Sequence, residues 1–403
     1  MLLKVERLTL LLLIIFLPSQ LALHFWPSWA TVSGIRVDYL SPTLYFTDLI
    51  ILALLFVSRL TIRLPLWLII FGVLNSLISI SPPVTLIHWF RLVEYLWLYN
   101  YFLYRRSYFI NLLPTGLSIA VFWSSLLTWL QFLHQHSLGG LWSWLGERPL
   151  SPITPGIAKI YLESLGLLLR PYATFPHPNA LAGFLMVSAL ILIHFSRTIK
   201  TNYWLVVTGI IVALATIPLT FSRTVIFLST LLFQAWLITK VSTTQIKSTA
   251  ILVSIVLLVC LIALLPGNPA SLSERVALIH KSYVVVLRSP LIGIGLGAFP
   301  SHQNNSLTTN AYLLNFQPVH SVYLLLASEL GLPALLVAIS LLLNFLKPLL
   351  ASGQRLLLVA MAAILLAGTA DHYWLTSHQN LLLLTVFLTL ISIQSKSGLT
   401  TNN

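Results

Sequence analysis

Twelve apolar segments, each close to the length of a bilayer crossing, follow one another along this chain. About 20 apolar residues span the hydrocarbon core as a helix, and only a helix or a closed barrel satisfies the backbone there. Hydrophobic residues make up 58% of the 403 residues and charged residues only 8%, whereas a soluble domain carries about a quarter charged residues. The sequence therefore predicts an all-α, polytopic integral membrane protein. The predicted spans are 8–26, 43–60, 64–81, 84–104, 108–134, 179–196, 202–219, 222–240, 249–265, 320–346, 356–372 and 378–394.

The distribution of lysine and arginine predicts how these spans are oriented. With both termini in the cytoplasm, every inner segment receives at least one basic residue, as the positive-inside rule requires. The first apolar run is then an uncleaved signal anchor. The chain is predicted to be a single membrane domain, 1–403, of the cytoplasmic (inner) membrane. It has long outer loops at 135–178 and 266–319 and a short cytoplasmic tail at 395–403.

Several classes of function are disfavoured by composition. The net charge of +13 lies in short loops and not in a basic domain, so no nucleic-acid partner is expected. A single cysteine, Cys260, excludes a disulfide framework. Long loops tend to be functional, and the outer face has no ATP or nucleotide sugar. A substrate there has to arrive already activated, and a lipid-linked pyrophosphate is the obvious form.

Cations of the predicted outer face are the first candidate site residues. Arg275 lies in an amphipathic segment that Ser271 or Ser273 is expected to cap. Arg223 stands in a tight turn between two spans. Either guanidinium can grip a phosphate bidentately, or snorkel to lipid headgroups. His320, at the start of a span, can accept a proton from a hydroxyl, or simply be hydrated at the interface.

Two further segments of these loops carry candidates. Residues 170–179 include Arg170, an exposed His177 that can touch substrate, and Asn179, which can cap the following helix. Residues 290–299 are glycine-rich but lack the Gly-Lys-Ser/Thr of a P-loop, so tight packing or amide contacts to an anion are expected. Within a span, Arg91 and Glu94 share a helix face, which favours a structural ion pair over a proton path.

Four motifs, in this order, resemble those of the O-antigen ligase and polymerase family of bacterial envelope enzymes. The similar segments are Ala-Thr-Phe-Pro-His-Pro-Asn-Ala-Leu-Ala at 173–182, Ser-Arg at 222–223, Arg275 followed by Arg-Ser-Pro-Leu-Ile-Gly-Ile-Gly-Leu-Gly-Ala-Phe at 288–299, and His320-Ser321 followed after nine residues by Gly331-Leu-Pro-Ala. The chain departs from the family pattern at three positions, namely Ala173, Thr224 and Ala334.

This resemblance implies an inverting, metal-independent glycosyltransferase that needs no cofactor. The donor would be an undecaprenyl-pyrophosphate-linked glycan, and the acceptor a hydroxyl of another glycan, a lipid or a protein. Arg223 and Arg275 would bind the pyrophosphate and stabilise its leaving charge, and His320 would activate the acceptor. Lys281 and Arg288 are further candidates for substrate binding, with Arg170, His177 and Asn179.

Other functions stay open at this point. Within the family, a ligase transfers a finished glycan and a polymerase joins repeat units. The sequence does not identify the acceptor pocket, so it does not decide between these two activities. A metal-dependent transferase that uses polyprenyl-phosphate sugars needs an acidic first outer loop, where only Asp38 is present. A transporter of lipid-linked glycans needs charges along several spans.

Overall fold

The computed structural model describes residues 2–32, 34–164, 166–199, 201–240, 269–302 and 316–399. These residues are mostly helical, and most helices follow the predicted apolar segments. The helices are α1 Leu2–Ile15, α2 Phe46–Ser58, α3 Leu66–Leu77, α4 Pro82–Tyr104, α5 Arg106–His134, α6 Pro178–Ser196, α7 Tyr203–Thr216, α8 Arg223–Lys240, α9 Pro269–Arg288, α10 Val322–Leu330, α11 Leu332–Ala351, α12 Arg355–Ala370, α13 Tyr373–Thr376 and α14 His378–Leu399.

Five of the described helices are long and apolar enough to cross a membrane, which agrees with a helical membrane protein. They are Arg106–His134, Pro178–Ser196, Tyr203–Thr220 (α7 with its 3₁₀ extension), Leu332–Ala351 and His378–Ser395. Four others, Phe46–Ser58, Leu66–Leu77, Arg223–Leu232 and Arg355–Ala370, are apolar but shorter. The predicted span 249–265 lies outside the described residues, together with Cys260 and parts of the loop 266–319.

The observed helix boundaries correct the predicted ones in four places. A helix over 8–26 is wrong, since α1 ends at Ile15 and residues 22–24 form a strand. A continuous helix over 320–346 is wrong, because Gly331 has a φ of 86° and separates α10 from α11. At this angle an L side chain is strained. Helix α9 begins at Pro269, so neither Ser271 nor Ser273 is its N-cap. Helix α14 continues to Leu399 and so includes most of the predicted tail 395–403.

Three short two-stranded antiparallel sheets lie outside the helices in the described part of the chain, so the fold there is not purely α-helical. Strand β1 (Ala22–His24) pairs with β4 (Thr43–Tyr45), β2 (Thr31–Val32) with β3 (Ile35–Arg36), and β5 (Lys159–Leu162) with β6 (Gly166–Leu169). The register of the third sheet places Lys159 opposite Leu169. These sheets provide hydrogen-bond partners for backbone N–H and C=O groups of the connecting segments that lie outside the helices.

Helix α6 lies at the centre of the helical core. Almost all of its residues are buried, and it packs against α5, α7, α8, α12 and α14. Pro178 stands at the first turn, where its fixed φ and missing N–H do no harm. Because α6 is so enclosed, its N-terminal end is held rigidly against the turn that connects α12 to α13.

Arg91 of α4 has two acidic partners instead of the single one predicted. Its Nη1 lies 2.7 Å from Glu94 Oε2 and 2.6 Å from Asp48 Oδ1 of α2. Nη2 donates to the Thr43 carbonyl oxygen at 2.6 Å. His378 of α14 lies 3.4 Å from the same Asp48 oxygen. The ion cluster therefore joins α2 and α4 beside strand β4. This supports a structural role for Arg91 and Glu94.

The glycine-rich segment 290–299 packs tightly, as one of its two predicted roles requires. Asn75 of α3 binds it on both sides, since its Nδ2 donates to the Ile292 carbonyl at 2.9 Å and its Oδ1 accepts from Leu296 N at 3.0 Å. Gly295 has a φ of +106°, and a Cβ at this position would overlap the hydroxyls of Ser79 and Thr85. The segment is thus fixed between α3, α4 and α10.

Gly295→Ala should lower the melting temperature in detergent clearly, because it combines left-handed strain with overpacking against α3 and α4. Each of these effects costs on the order of 1–3 kcal/mol. Gly156→Ala is the matched control, since Gly156 has a φ of +70° but nothing within 4 Å of the added Cβ. Equal melting temperatures for the two variants would show that close packing of the segment contributes nothing.

Candidate active site

His320 faces a carboxylate from the turn that follows α12. Ser321 caps α10 by accepting from Leu324 N, which fixes the residue before it. His320 Nδ1 lies 3.5 Å from Asp371 Oδ1, a charge contact longer than a usual hydrogen bond. A carboxylate on this side favours the proton on Nδ1 and leaves Nε2 as the proton acceptor. Asp371 is therefore placed to orient the His320 ring.

Asp371 is itself held in one orientation. Its Oδ2 accepts a hydrogen bond from Asn179 Nδ2 at 2.8 Å, and its Oδ1 accepts one from the His372 backbone N–H at 2.8 Å. Burial alone would raise the pKa of this carboxyl, but the interactions with His320, His372 and His177 outweigh it and hold the pKa well below its usual range. The carboxylate therefore stays ionised through the neutral pH range.

Arg170 extends this network on the far side of Asn179. Its Nη2 donates to Asn179 Oδ1 at 2.8 Å and its Nε donates to the Thr220 carbonyl at 2.9 Å. Burial, with smaller contributions from the charges of Arg223 and Arg275, lowers the pKa of Arg170 to about 10. Arg170 remains a cation at neutral pH. Because the charges of Arg223 and Arg275 act on it, both of these guanidinium groups lie within electrostatic range of Arg170.

Arg275 reaches the same turn from α9. Its Nη1 donates to the carbonyl oxygen of Ala370, the residue before Asp371, at 2.9 Å. Arg223 begins α8, three residues after the Thr220 carbonyl that Arg170 binds, and is exposed. Arg275 and, through Asn179, Arg170 therefore meet at the turn after α12, and Arg223 lies within electrostatic range of Arg170. Such a cluster of cations around a histidine suits a phosphate or pyrophosphate ligand.

The remaining candidates, Lys281 and Arg288, lie further along α9 than Arg275. Lys281 is buried, with its Nζ 4.8 Å from the Phe299 ring centroid, and burial lowers its pKa to about 8. Arg288 is exposed and lies thirteen residues beyond Arg275, about 20 Å along α9 at 1.5 Å per residue. Val276, Ile279 and Tyr283 leave an exposed apolar stripe on this helix, as an interfacial helix requires.

His177 and Asn179 differ from their expected roles. His177 is half-buried, not exposed, and is itself the N-cap of α6, because its Nδ1 accepts from Asn179 N at 3.1 Å. Asn179 lies in the first turn and connects Arg170 to Asp371 instead of capping. Burial and the charge of Arg170 lower the pKa of His177 to about 3, so it is neutral and unsuited to binding an anion by charge.

Asp371 and His372 are the site residues that the sequence did not identify. The His372 ring centroid lies 5.1 Å from that of His320. Its Nδ1 lies 2.7 Å from the Thr376 hydroxyl, and burial lowers its pKa to about 4. The available signal was an Asp-His pair in a tight turn between two apolar segments. Its closeness to His320, fifty residues earlier, is visible only in the fold.

One group of side chains among the described residues has the spacing of a cation site. Ligand atoms of His320, Asp371 and His372 all lie within 4.8 Å of one another. Imidazole and carboxylate ligands suit transition metals. The same three groups also suit acid–base chemistry. The positive charge of the nearby Arg275 disfavours binding of a metal cation at this place. A chelator distinguishes the two uses of this cluster.

Comparisons with protein-family models, with characterised proteins and with solved structures find no match for this chain.

Proposed function

We propose that the chain is an inverting, metal-independent glycosyltransferase of the O-antigen ligase and polymerase type. It would transfer a glycan from undecaprenyl pyrophosphate to an acceptor hydroxyl. In this proposal the chain crosses the cytoplasmic membrane twelve times, with both termini inside and the His320 cluster on the outer face. The observation that carries it is the meeting of His320 and Asp371 with Arg275 and, through Asn179, with Arg170 at the end of α12, with Arg223 in electrostatic range of Arg170. The four motifs in their order support the same function.

The proposed reaction assigns a role to each of these groups. His320 Nε2 accepts the proton of the acceptor hydroxyl, and the oxygen attacks the anomeric carbon of the donor sugar. The bond from that carbon to the phosphate oxygen breaks, and undecaprenyl pyrophosphate leaves with the electron pair. Attack from the opposite face inverts the anomeric centre. Arg275 and Arg223 stabilise the charge that develops on the phosphate, which is usually the largest contribution to catalysis.

Arg170 and Asn179 would act behind these groups. Arg170 donates hydrogen bonds to the Asn179 side chain and to the Thr220 carbonyl, and Asn179 in turn donates one to Asp371. This chain of hydrogen bonds connects the entry to α8, where Arg223 lies, with the carboxylate that orients His320. In this proposal the network therefore fixes the phosphate-binding groups and the proton acceptor relative to one another, as preorganised catalysis requires.

The purified protein in liposomes should release undecaprenyl pyrophosphate and elongate or transfer an oligosaccharide supplied on that lipid, in the presence of EDTA. Growth from repeat units alone identifies a polymerase, and transfer that needs a second acceptor identifies a ligase. Loss of turnover in EDTA, with recovery on adding Zn²⁺ or Mn²⁺, would contradict metal independence. Turnover only with a polyprenyl-monophosphate sugar would favour the metal-dependent alternative.

A transporter of lipid-linked glycans is the second candidate. The observation in its favour is the ion cluster of Arg91, Asp48 and Glu94 among apolar helices, since such charges often line a pathway. Movement of a labelled lipid-linked oligosaccharide across the same liposomes, without release of undecaprenyl pyrophosphate, would favour transport over transfer.

A further inference from the structure

A cleft lies in the segment after α5, and its lining contains none of the residues of the His320 cluster. It has a volume of about 500 Å³, within the range of about 300–1,000 Å³ of ligand sites. Its lining is rich in hydroxyls and includes one carboxylate and one guanidinium. The polar residues that line it are Ser137, Ser143, Glu147, Arg148, Ser151 and Thr154.

The two walls of this cleft are preformed. Glu147 is buried, and its carboxylate accepts from Leu138 N at 2.9 Å, Gly139 N at 2.8 Å and Gln131 Nε2 at 2.8 Å. Ser137 N donates to the Leu150 carbonyl at 2.9 Å, and Leu150 N donates back to the Ser137 hydroxyl at 2.8 Å. These bonds tie 137–139 to 147–150. A ligand therefore meets a fixed shape and does not have to order the segment.

The charge of the lining selects a class of ligand. Glu147 and Arg148 balance each other, so the cleft offers no excess of positive charge to a phosphate, in contrast to the arginine cluster. Ser143 is exposed and Ser151 lies 3.2 Å from Thr154, hydroxyl to hydroxyl. The hydroxyls of Ser137, Ser151 and Thr154 make bonds within the segment, but each hydroxyl oxygen has two acceptor lone pairs, and such acceptors beside a planar guanidinium match the hydroxyls of a polyhydroxy ligand. This chemistry indicates sugar rings instead of the pyrophosphate.

The cleft is connected to the candidate active site through one segment. Arg148 Nη2 donates to the Pro176 carbonyl at 2.9 Å, and its guanidinium carbon lies 5.5 Å from the Tyr172 ring centroid. Pro176 directly precedes His177, the cap of α6, and the same segment begins with Arg170. Both ends of 170–179, at Arg170 and Asn179, thus belong to the network around Asp371, while Tyr172 and Pro176 between them contact Arg148 in the wall of the cleft.

We infer that this cleft is a subsite for an oligosaccharide, which holds sugar residues remote from the reacting carbon while their phosphate or hydroxyl end lies at the His320 cluster. This inference rests on the proposed glycosyltransferase function and names a substrate-binding surface for it. Remote sugar binding of this kind supplies binding energy that positions the reacting atoms. The sugars belong either to the donor glycan or to the acceptor, and kinetics distinguish the two sources.

Ser143→Trp tests the subsite by filling the cleft from its exposed edge. The matched control is Ser107→Trp, because Ser107 is also exposed but lies near the start of α5, about 40 Å away along that helix. The probes are undecaprenyl pyrophosphate carrying a tetrasaccharide and the same lipid carrying one sugar. Ser143→Trp should raise KM about tenfold for the tetrasaccharide donor, a loss of about 1.4 kcal/mol, and leave KM for the monosaccharide donor within about twofold.

The outcomes separate this inference from the proposed function. A rise in KM for the acceptor glycan alone would assign the subsite to the acceptor, and unchanged values for both substrates would overturn it. If wild-type protein turns over neither donor, native mass spectrometry of binding replaces kinetics. Wild-type protein should then bind the tetrasaccharide lipid more tightly than the monosaccharide lipid, and Ser143→Trp should remove that difference. Should this variant unfold, Ser143→Leu carries the same test.

Discussion

Asp371→Asn should lower kcat for glycan transfer by about 10³–10⁴-fold, with little change in KM. In the wild-type protein the carboxylate favours a proton on His320 Nδ1, from which its Oδ1 lies 3.5 Å. In the variant an NH₂ group replaces one oxygen, although both oxygens accept hydrogen bonds, Oδ2 from Asn179 Nδ2 and Oδ1 from the His372 backbone N–H. With the NH₂ in the Oδ1 position it faces His320 Nδ1 and forces the ring proton onto Nε2, and with the NH₂ in the Oδ2 position it opposes Asn179 Nδ2, so neither orientation restores the wild-type network. An imidazole with its proton on Nε2 cannot accept the hydroxyl proton, and errors of this kind cost about 10⁴ in related catalytic arrangements.

The control for this variant is Asp38→Asn, which makes the same change on an exposed acid of the first loop. Its activity should stay within about twofold of wild type, as is usual for a surface substitution. Transfer assays with purified proteins and matched melting temperatures provide the comparison. Full activity in Asp371→Asn would remove the carboxylate from the mechanism. Loss of activity in Asp38→Asn instead would favour the metal-dependent transferase, which needs an acid in that loop.

The sequence located part of this site because charges are so rare in the chain. Arg223, Arg275 and His320 stand out at the ends of apolar segments, and the structure places Arg275 and His320 at the same turn. Asp371 could not be paired with His320 in advance, since the contact depends on how α10 and α12 pack. Arg288 was indistinguishable from Arg275 by composition. Only the rise of α9 shows that they are far apart.

The fold was predictable where apolar length carries the signal and not elsewhere. Helices α5, α6 and α14 begin within two residues of the predicted spans, since long apolar runs have one stable conformation in a bilayer. Strands of two to four residues, such as β2 and β5, are too short for a periodic pattern. The break at Gly331 depends on close approach to Leu291 and Ile292, which is a tertiary contact and leaves no local pattern.

Arg275→Ala should lower kcat by about 10²–10³-fold, the usual cost of removing one group that stabilises developing charge. Arg275 Nη1 donates a hydrogen bond to the Ala370 carbonyl at 2.9 Å. Four of its five N–H donors do not take part in that bond. Their charge lies beside the Asp371 turn, where the leaving phosphate is proposed to separate. Arg275→Lys should recover part of the rate, because the charge is kept while the forked geometry is lost.

Arg288→Ala is the sharpest contrast, since it removes the same side chain from the exposed end of the same helix. Its kcat should match wild type. Single-turnover rates, with enzyme in saturating excess over the donor, separate the chemical step from binding, and formation of free undecaprenyl pyrophosphate reports that step directly. If Arg275→Ala raised KM and left kcat unchanged, the guanidinium would bind substrate and transition state equally well. Its role would then be to hold the lipid pyrophosphate and not to stabilise its departure.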